Sequence, residues 1–147
     1  VRNPIMAISS RKVEHFLTHN HDAVLSTIRM NGATQLSAVT VGFYKGGAIF
    51  TTTKSRAKFI NLNRTPECSL LISNSNWRPY LVLEGKAHIF SADTLDPKTL
   101  KNILRAAYRS AAGKEHPNWA DYDEAMKKDE RVAIFVSGDN IYGTMEN

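Results

Sequence analysis

The feature that most constrains the fold is a succession of short β-type runs, each closed by a turn signal, that comes before any long helical pattern. Ala23-Val24-Leu25-Ser26-Thr27-Ile28-Arg29-Met30 ends in Asn31-Gly32, the strongest short-range hairpin signal, and Gln35 to Phe43 reads as the returning strand. Gly46-Gly47 marks the next turn and Ala48 to Thr53 the third strand. Glu67 to Ser73 is the fourth, Asn74-Ser75-Asn76 a polar turn, and Tyr80 to Phe90 a long fifth strand. Gly85 lies in its interior, where a bulge or a close backbone approach is the usual reason. Arg131 to Ser137 adds a sixth strand from the C-terminal part. An antiparallel meander closed by a late strand suits a barrel, complete or split, with helices packed outside.

The helices are legible from the 3.6-residue period. Ser9 or Ser10 can cap a short helix with Val13, Phe16 and Leu17 on one face, after a lead-in from Val1 to Ile8. Behind Asp96-Pro97, Leu100, Ile103, Leu104, Ala107, Tyr108 and Ala111 form an apolar stripe that Gly113 is placed to end. Trp119, Tyr122 and Met126 share a face in a further helix.

The segment Thr51-Thr52-Thr53-Lys54-Ser55-Arg56-Ala57-Lys58 carries the strongest chemical suggestion. A strand stops at Lys54-Ser55, and Ser55 can cap a helix that begins near Arg56 and buries Phe59 and Leu62, with Ala57 and Ile60 beside them. Thr65-Pro66 stops that helix. A helix start offers free N–H donors and the positive end of its dipole, so an anion is welcome there. Cations in a first turn oppose the dipole, and a bound phosphate or carboxylate resolves the misfit. A solvated basic helix start would carry the same residues. Trp77 and Tyr80, where a turn meets a strand, can wall a planar ligand, meet a dimer partner or pack at the barrel rim. Gln35, Leu36 and Ser37 can present hydrogen-bonding groups to a heteroaromatic ring, as can an ordinary half-solvated strand.

Composition removes several function classes. With 147 residues, 42% of them hydrophobic, one domain spanning residues 1–147 is the expectation. The balance of 19 Lys+Arg against 14 Asp+Glu, net +5, suits an anionic partner. The basic residues are scattered and no nucleic-acid-binding fingerprint occurs, so a phosphate-bearing small molecule fits better than nucleic acid. Cys68 is the only cysteine and sits in a strand-like apolar run, which reads as a buried, inert thiol. No apolar run approaches membrane-spanning length and no signal-peptide pattern opens the chain, so a cytoplasmic protein without a membrane span is expected. The five histidines are dispersed; His15 and His19 have helical spacing but no convergent third ligand, so no metal site is expected. No nucleophile elbow or Walker loop is present, and no catalytic side chain is identified.

Taken together, Ala23 to Thr27 with Asn31-Gly32 and Gln35-Leu36-Ser37, Ser55-Arg56-Ala57-Lys58 with Asn61-Leu62, and Trp77 and Tyr80 with Glu84-Gly85 form a recognisable set. Tyr108-Arg109, Trp119-Ala120-Asp121-Tyr122 and Asn140-Ile141-Tyr142-Gly143 extend it. The chain resembles the pyridoxamine 5′-phosphate oxidase-like split β-barrel superfamily, most closely its small members that use the deazaflavin coenzyme F420. The resemblance implies a mainly β fold, a six-stranded antiparallel split β-barrel with peripheral helices, and a homodimer with cofactor sites at the subunit interface. It implies that Lys54, Ser55, Arg56 and Lys58 hold a ribityl phosphate, and that Asn61, Gln35 to Ser37 and Thr51 to Thr53 line the ring. Ala57 belongs to the same corner, and Trp77 and Tyr80 shape the rest, from the partner or from the pocket edge. The expected activity is hydride transfer between F420, or alternatively FMN, and a small organic substrate. An FMN oxidase or reductase and a non-catalytic cofactor carrier are the other readings.

Overall fold

A computed structural model of the chain describes residues 10–145. The expected lead-in and the Ser9 cap lie outside them. Helix α1 (Ser10–His19) buries Val13, Phe16 and Leu17, the face its spacing predicts. The strands β1 (Asp22–Ile28), β2 (Thr34–Thr40), β3 (Gly42–Tyr44) and β4 (Gly47–Thr53) follow, then helix α2 (Ala57–Arg64). Strands β5 (Glu67–Ser73) and β6 (Leu81–Phe90) precede helices α3 (Pro97–Ala112) and α4 (Trp119–Lys128), and β7 (Arg131–Val136) and β8 (Asn140–Gly143) complete the order.

All the strand pairs are antiparallel. Their order is β2-β1-β5-β6-β7-β4-β3, with β8 beside β6. The two ends of that path, β2 and β3, are consecutive in the chain and separated only by Val41, which is fully buried. One bent segment therefore closes the sheet on itself, pairing with β1 before the bend and with β4 after it. This is a split barrel.

The barrel has eight strands where the sequence suggests six. Gln35 to Phe43 reads as one continuous strand, but Val41 turns its side chain into the core and its amide to His21 O (2.9 Å), so the run splits into β2 and β3. The tail residues Asn140–Gly143 pair with Leu81–Glu84, an edge that β7 leaves free. At this handover a Cβ on Gly85 would lie 2.1 Å from Ser137 O, which explains the glycine.

Two turns exchange roles. Asn31-Gly32 does not form the two-residue hairpin: Gly32 N–H donates to Arg29 O, Arg29 N–H donates to Ala33 O, and of these only Gly32 has a positive φ (88°). That is a type I turn followed by a left-handed glycine. The two-residue turn occurs at Lys45-Gly46, with φ of 45° and 88°, between the paired Tyr44 and Gly47.

The barrel interior is filled by Leu17, Leu25, Leu70, Ile72, Leu81, Leu83 and Ile134, all fully buried. A second cluster packs Leu100, Leu104 and Ala107 of α3 and Tyr122 of α4 on Ile49 and Ala133 of the outer β4–β7 face. Helix α3 is closed as expected, with Asp96 accepting from Thr99 N–H and Gly113 in the left-handed region at φ 70°. Cys68 is buried in the barrel, and that burial pushes its thiol up to about 12.

Candidate functional site

Strand β4 delivers the chain to the corner between the barrel and α2. Its alternation puts Thr51 and Thr53 on the helix-covered face and the buried Thr52 on the opposite, core face. Arg131, the first residue of β7, pairs directly with Thr53 and donates from Nη1 to Thr51 Oγ1 at 3.3 Å. Lys58, in the first turn of α2, lies close enough to Arg56 and Arg131 to feel both charges. Burial first, then those two guanidinium groups, hold its ammonium below the usual lysine value.

The helix start differs from expectation in one respect. Arg56, not Ser55, is the N-cap residue of α2, and no side chain caps the helix. Ser55 is exposed, and its hydroxyl lies 3.2 Å from Thr53 Oγ1. Ile60, expected beside the apolar face, is 51% exposed, and Asn61 takes the buried place instead. Lys54 turns away from the corner to an ion pair with Asp93 at 2.8 Å. What remains is an uncapped helix start with Arg56, Lys58 and Arg131 around it. Arg131 Nε is buried and, among the described residues, has no hydrogen-bond partner. A buried unpaired donor in a cationic cluster is costly unless an acceptor completes it.

Arg131 is the residue that sequence reasoning missed. As a lone arginine opening a late strand it carries no local signal, and only the β4–β7 register brings it to Thr51 and Thr53.

Below the corner, Asn61 organises a second set of polar groups. Its Nδ2 donates to Thr27 Oγ1 (3.1 Å) and Gln35 Oε1 (2.9 Å), and its Oδ1 accepts from Arg64, which also donates to Ile28 O (2.7 Å). The Asn61 amide is thus committed to fastening α2 to β1 and β2. Gln35 and Ser37 share the inward-facing side of β2, whereas Leu36 is 64% exposed on the opposite face. Ala57 is exposed at the first position of α2.

Trp77 and Tyr80 do not join these groups within one chain. Both lie in the β5–β6 connection, beside the Ser73 end of β5, whereas α2 enters β5 at Glu67. The corner is reached through the other end of β6, where Phe90 pairs with Ala133 of β7 and Arg131 of β7 pairs with Thr53. Trp77 is 53% exposed.

No group of three or more His, Cys, Asp or Glu side chains suited to a metal ion occurs among the described residues. No described helix is long and apolar enough to cross a membrane.

The model of the pyridoxamine 5′-phosphate oxidase family matches residues 9–137. The chain belongs to that family. Solved structures agree with the split barrel. A conserved hypothetical protein from Mycobacterium tuberculosis superposes with a TM-score of 0.77 at 18% identity, over 98% of this chain and 89% of the other. General Stress Protein 26 from Bacillus anthracis gives 0.64 at 19% identity, over 94% and 95%. An F420 reductase gives 0.60 at 23% identity, over 88% and 94%. At these identities the likeness speaks for the fold, and family membership comes from the sequence match.

Proposed function

We propose that this member of the family is an oxidoreductase that binds a ribityl-phosphate redox cofactor, coenzyme F420 or FMN, and exchanges a hydride with a small organic substrate. The observation that carries the reading is the anion corner: an uncapped helix start, Lys58 and Arg56 beside it, and the unpartnered buried Nε of Arg131. Family membership and the resemblance to an F420 reductase support the choice of cofactor class.

In this reading Lys58, Arg56, Arg131 and the Ser55 hydroxyl hold the phosphate, with the leading amides of α2 donating to it. Lys54 adds less, because Asp93 already neutralises it. Gln35 and Ser37 of β2 and Thr51 and Thr53 of β4 lie beside the ring, and Asn61 sets the orientation of the Gln35 amide. The cofactor supplies the hydride chemistry when bound, so the protein needs no catalytic triad of its own. Substrate binding then depends on excluding water and on stacking over the ring.

The functional unit is a homodimer. Register places Ala38, Val24, Leu71, Val82 and Tyr142 side by side across five strands, one apolar row on the outer sheet face. Tyr142 at its end is 45% exposed, as is the neighbouring Leu36 at 64%. A second copy on this face covers the row and offers Trp77 and Tyr80 a route to the other subunit's site.

Titration with FMN and with F420, followed by absorbance and fluorescence, tests the reading. One cofactor should bind at micromolar level or better, and the Arg56→Ala/Lys58→Ala double variant should weaken it. Failure of both cofactors to bind, or an unchanged affinity in the double variant, refutes the assignment.

A further inference from the structure

A cavity of about 910 Å³ lies between α3 and α4 and reaches the start of β7. Its size falls within the range of small-molecule sites, about 300–1,000 Å³. Leu100, Leu104 and Met126 provide an apolar floor. Of these, Leu100 and Leu104 are already buried in the chain, so an apolar occupant would complete a surface rather than create one.

The charges around the floor are unequally satisfied. Lys54 is paired with Asp93, and Asp123 is paired with Arg105. That leaves Lys98 and Lys101 on α3 without a salt-bridge partner among the described residues, together with Arg131 at the inner end. Lys98 lies in the first turn of α3, where it opposes the positive end of the helix dipole, and Lys101 follows three residues later on the same side, within the field of Asp123. The capping carboxylate of Asp96 stands just ahead of that turn, and no acidic residue lies within it. The remaining carboxylates, Glu124 and Glu130, belong to the α4 side, where Lys127 lies between them in sequence. The cavity therefore has a cationic α3 wall, a mixed α4 wall and an apolar base.

We infer that this cavity is a second ligand site, distinct from the cofactor corner, for an organic anion with an apolar body. The body rests on Leu100, Leu104 and Met126, and the carboxylate, sulfonate or phosphate group faces Lys98 and Lys101. Arg131 forms the partition: it borders this cavity and, through Thr51, faces the anion corner. Nothing in the argument requires a cofactor to be bound.

The test uses two dyes with the same aromatic body, anilinonaphthalene sulfonate and uncharged phenylnaphthylamine, titrated by fluorescence against the full chain. The sulfonate should bind once per chain and about tenfold more tightly than the neutral dye. Ala92→Trp places a ring at the mouth of the cavity from an exposed position and should abolish binding of both dyes. Lys98→Glu with Lys101→Glu should weaken the sulfonate about tenfold and leave the neutral dye unchanged. Those two changes suit the helix dipole, so folding is preserved, and circular dichroism checks it.

Sulfonate binding that survives Ala92→Trp would place the dye elsewhere, on the exposed sheet face for example, and overturn the inference. Equal affinity for the two dyes would remove the anion requirement and overturn it as well. One-for-one displacement of the sulfonate by FMN would merge the two sites and overturn the claim of a second one. Failure of FMN to bind bears on the cofactor reading alone, since the two dye variants are read without it.

Discussion

Replacing Lys58 with Met separates a binding role from a structural one, because the two predict opposite signs. Lys58 is half-buried on α2, and its ammonium is disfavoured by burial and by the charges of Arg56 and Arg131. Its folded pKa therefore lies below the unfolded value of 10.5. In the window between the two the unfolded chain binds more protons, so stability rises with pH across it, and below the folded pKa the charged lysine is a standing liability. Met keeps the length and packing of the stem and removes the charge. At neutral pH Lys58→Met should therefore raise the melting temperature of the cofactor-free protein, and it should flatten the rise in stability at alkaline pH.

The same change removes one of three cations from the corner. A charge-assisted hydrogen bond contributes about 1.5–3 kcal/mol, which corresponds to a loss of roughly 10- to 150-fold in cofactor affinity. The pair of measurements is a thermal melt without cofactor and a fluorescence titration with it, the latter at two salt concentrations. Because the partly buried corner is screened only in part, the wild-type affinity should fall with salt more steeply than that of the variant. A lower melting temperature with unchanged affinity would make Lys58 an ordinary packing residue and sink the argument.

Three further outcomes follow from the geometry. Asn61→Ala leaves Thr27, Gln35 and Arg64 without their shared partner, so denaturant unfolding should show a loss of about 1–3 kcal/mol, and a neutral result would mean that the network is not formed. Gly85→Ala drives a Cβ toward Ser137 O, where only backbone movement makes room, and should cost about 1–3 kcal/mol; a wild-type melting curve would contradict the close approach. Cys68, with its thiol pushed up to about 12, should resist a thiol reagent at pH 8 in the native protein and react once denatured, whereas rapid native labelling would show that the strand is open.

The cation cluster illustrates how legibility varied between residues. Lys58 and Arg56 were visible as cations at a helix start because a strand, a stop signal and a helical period follow one another within a few residues. The cap was not: Ser55 and Arg56 are neighbours, and which of them leaves the helix depends on how Thr53 exits the sheet. Val41 broke an apparently uniform strand for a similar reason. A β-branched residue suits a strand, and only the demand for core volume at the barrel corner turns it inward.

By itself the sequence determined the local elements: where strands alternate, where α3 begins and ends, that Cys68 sits in an apolar strand and that Lys58 lies in the first turn of a helix. Those properties depend on near neighbours, whose spacing the chain fixes directly. Only the tertiary structure decided which distant groups meet. It set Arg131 against Thr51 across 80 residues, joined Asn61 to Gln35, and put Trp77 and Tyr80 at the opposite end of β6 from the Arg131–Thr53 pair. Pairing register and barrel closure fix those distances, and neither is encoded in any single segment.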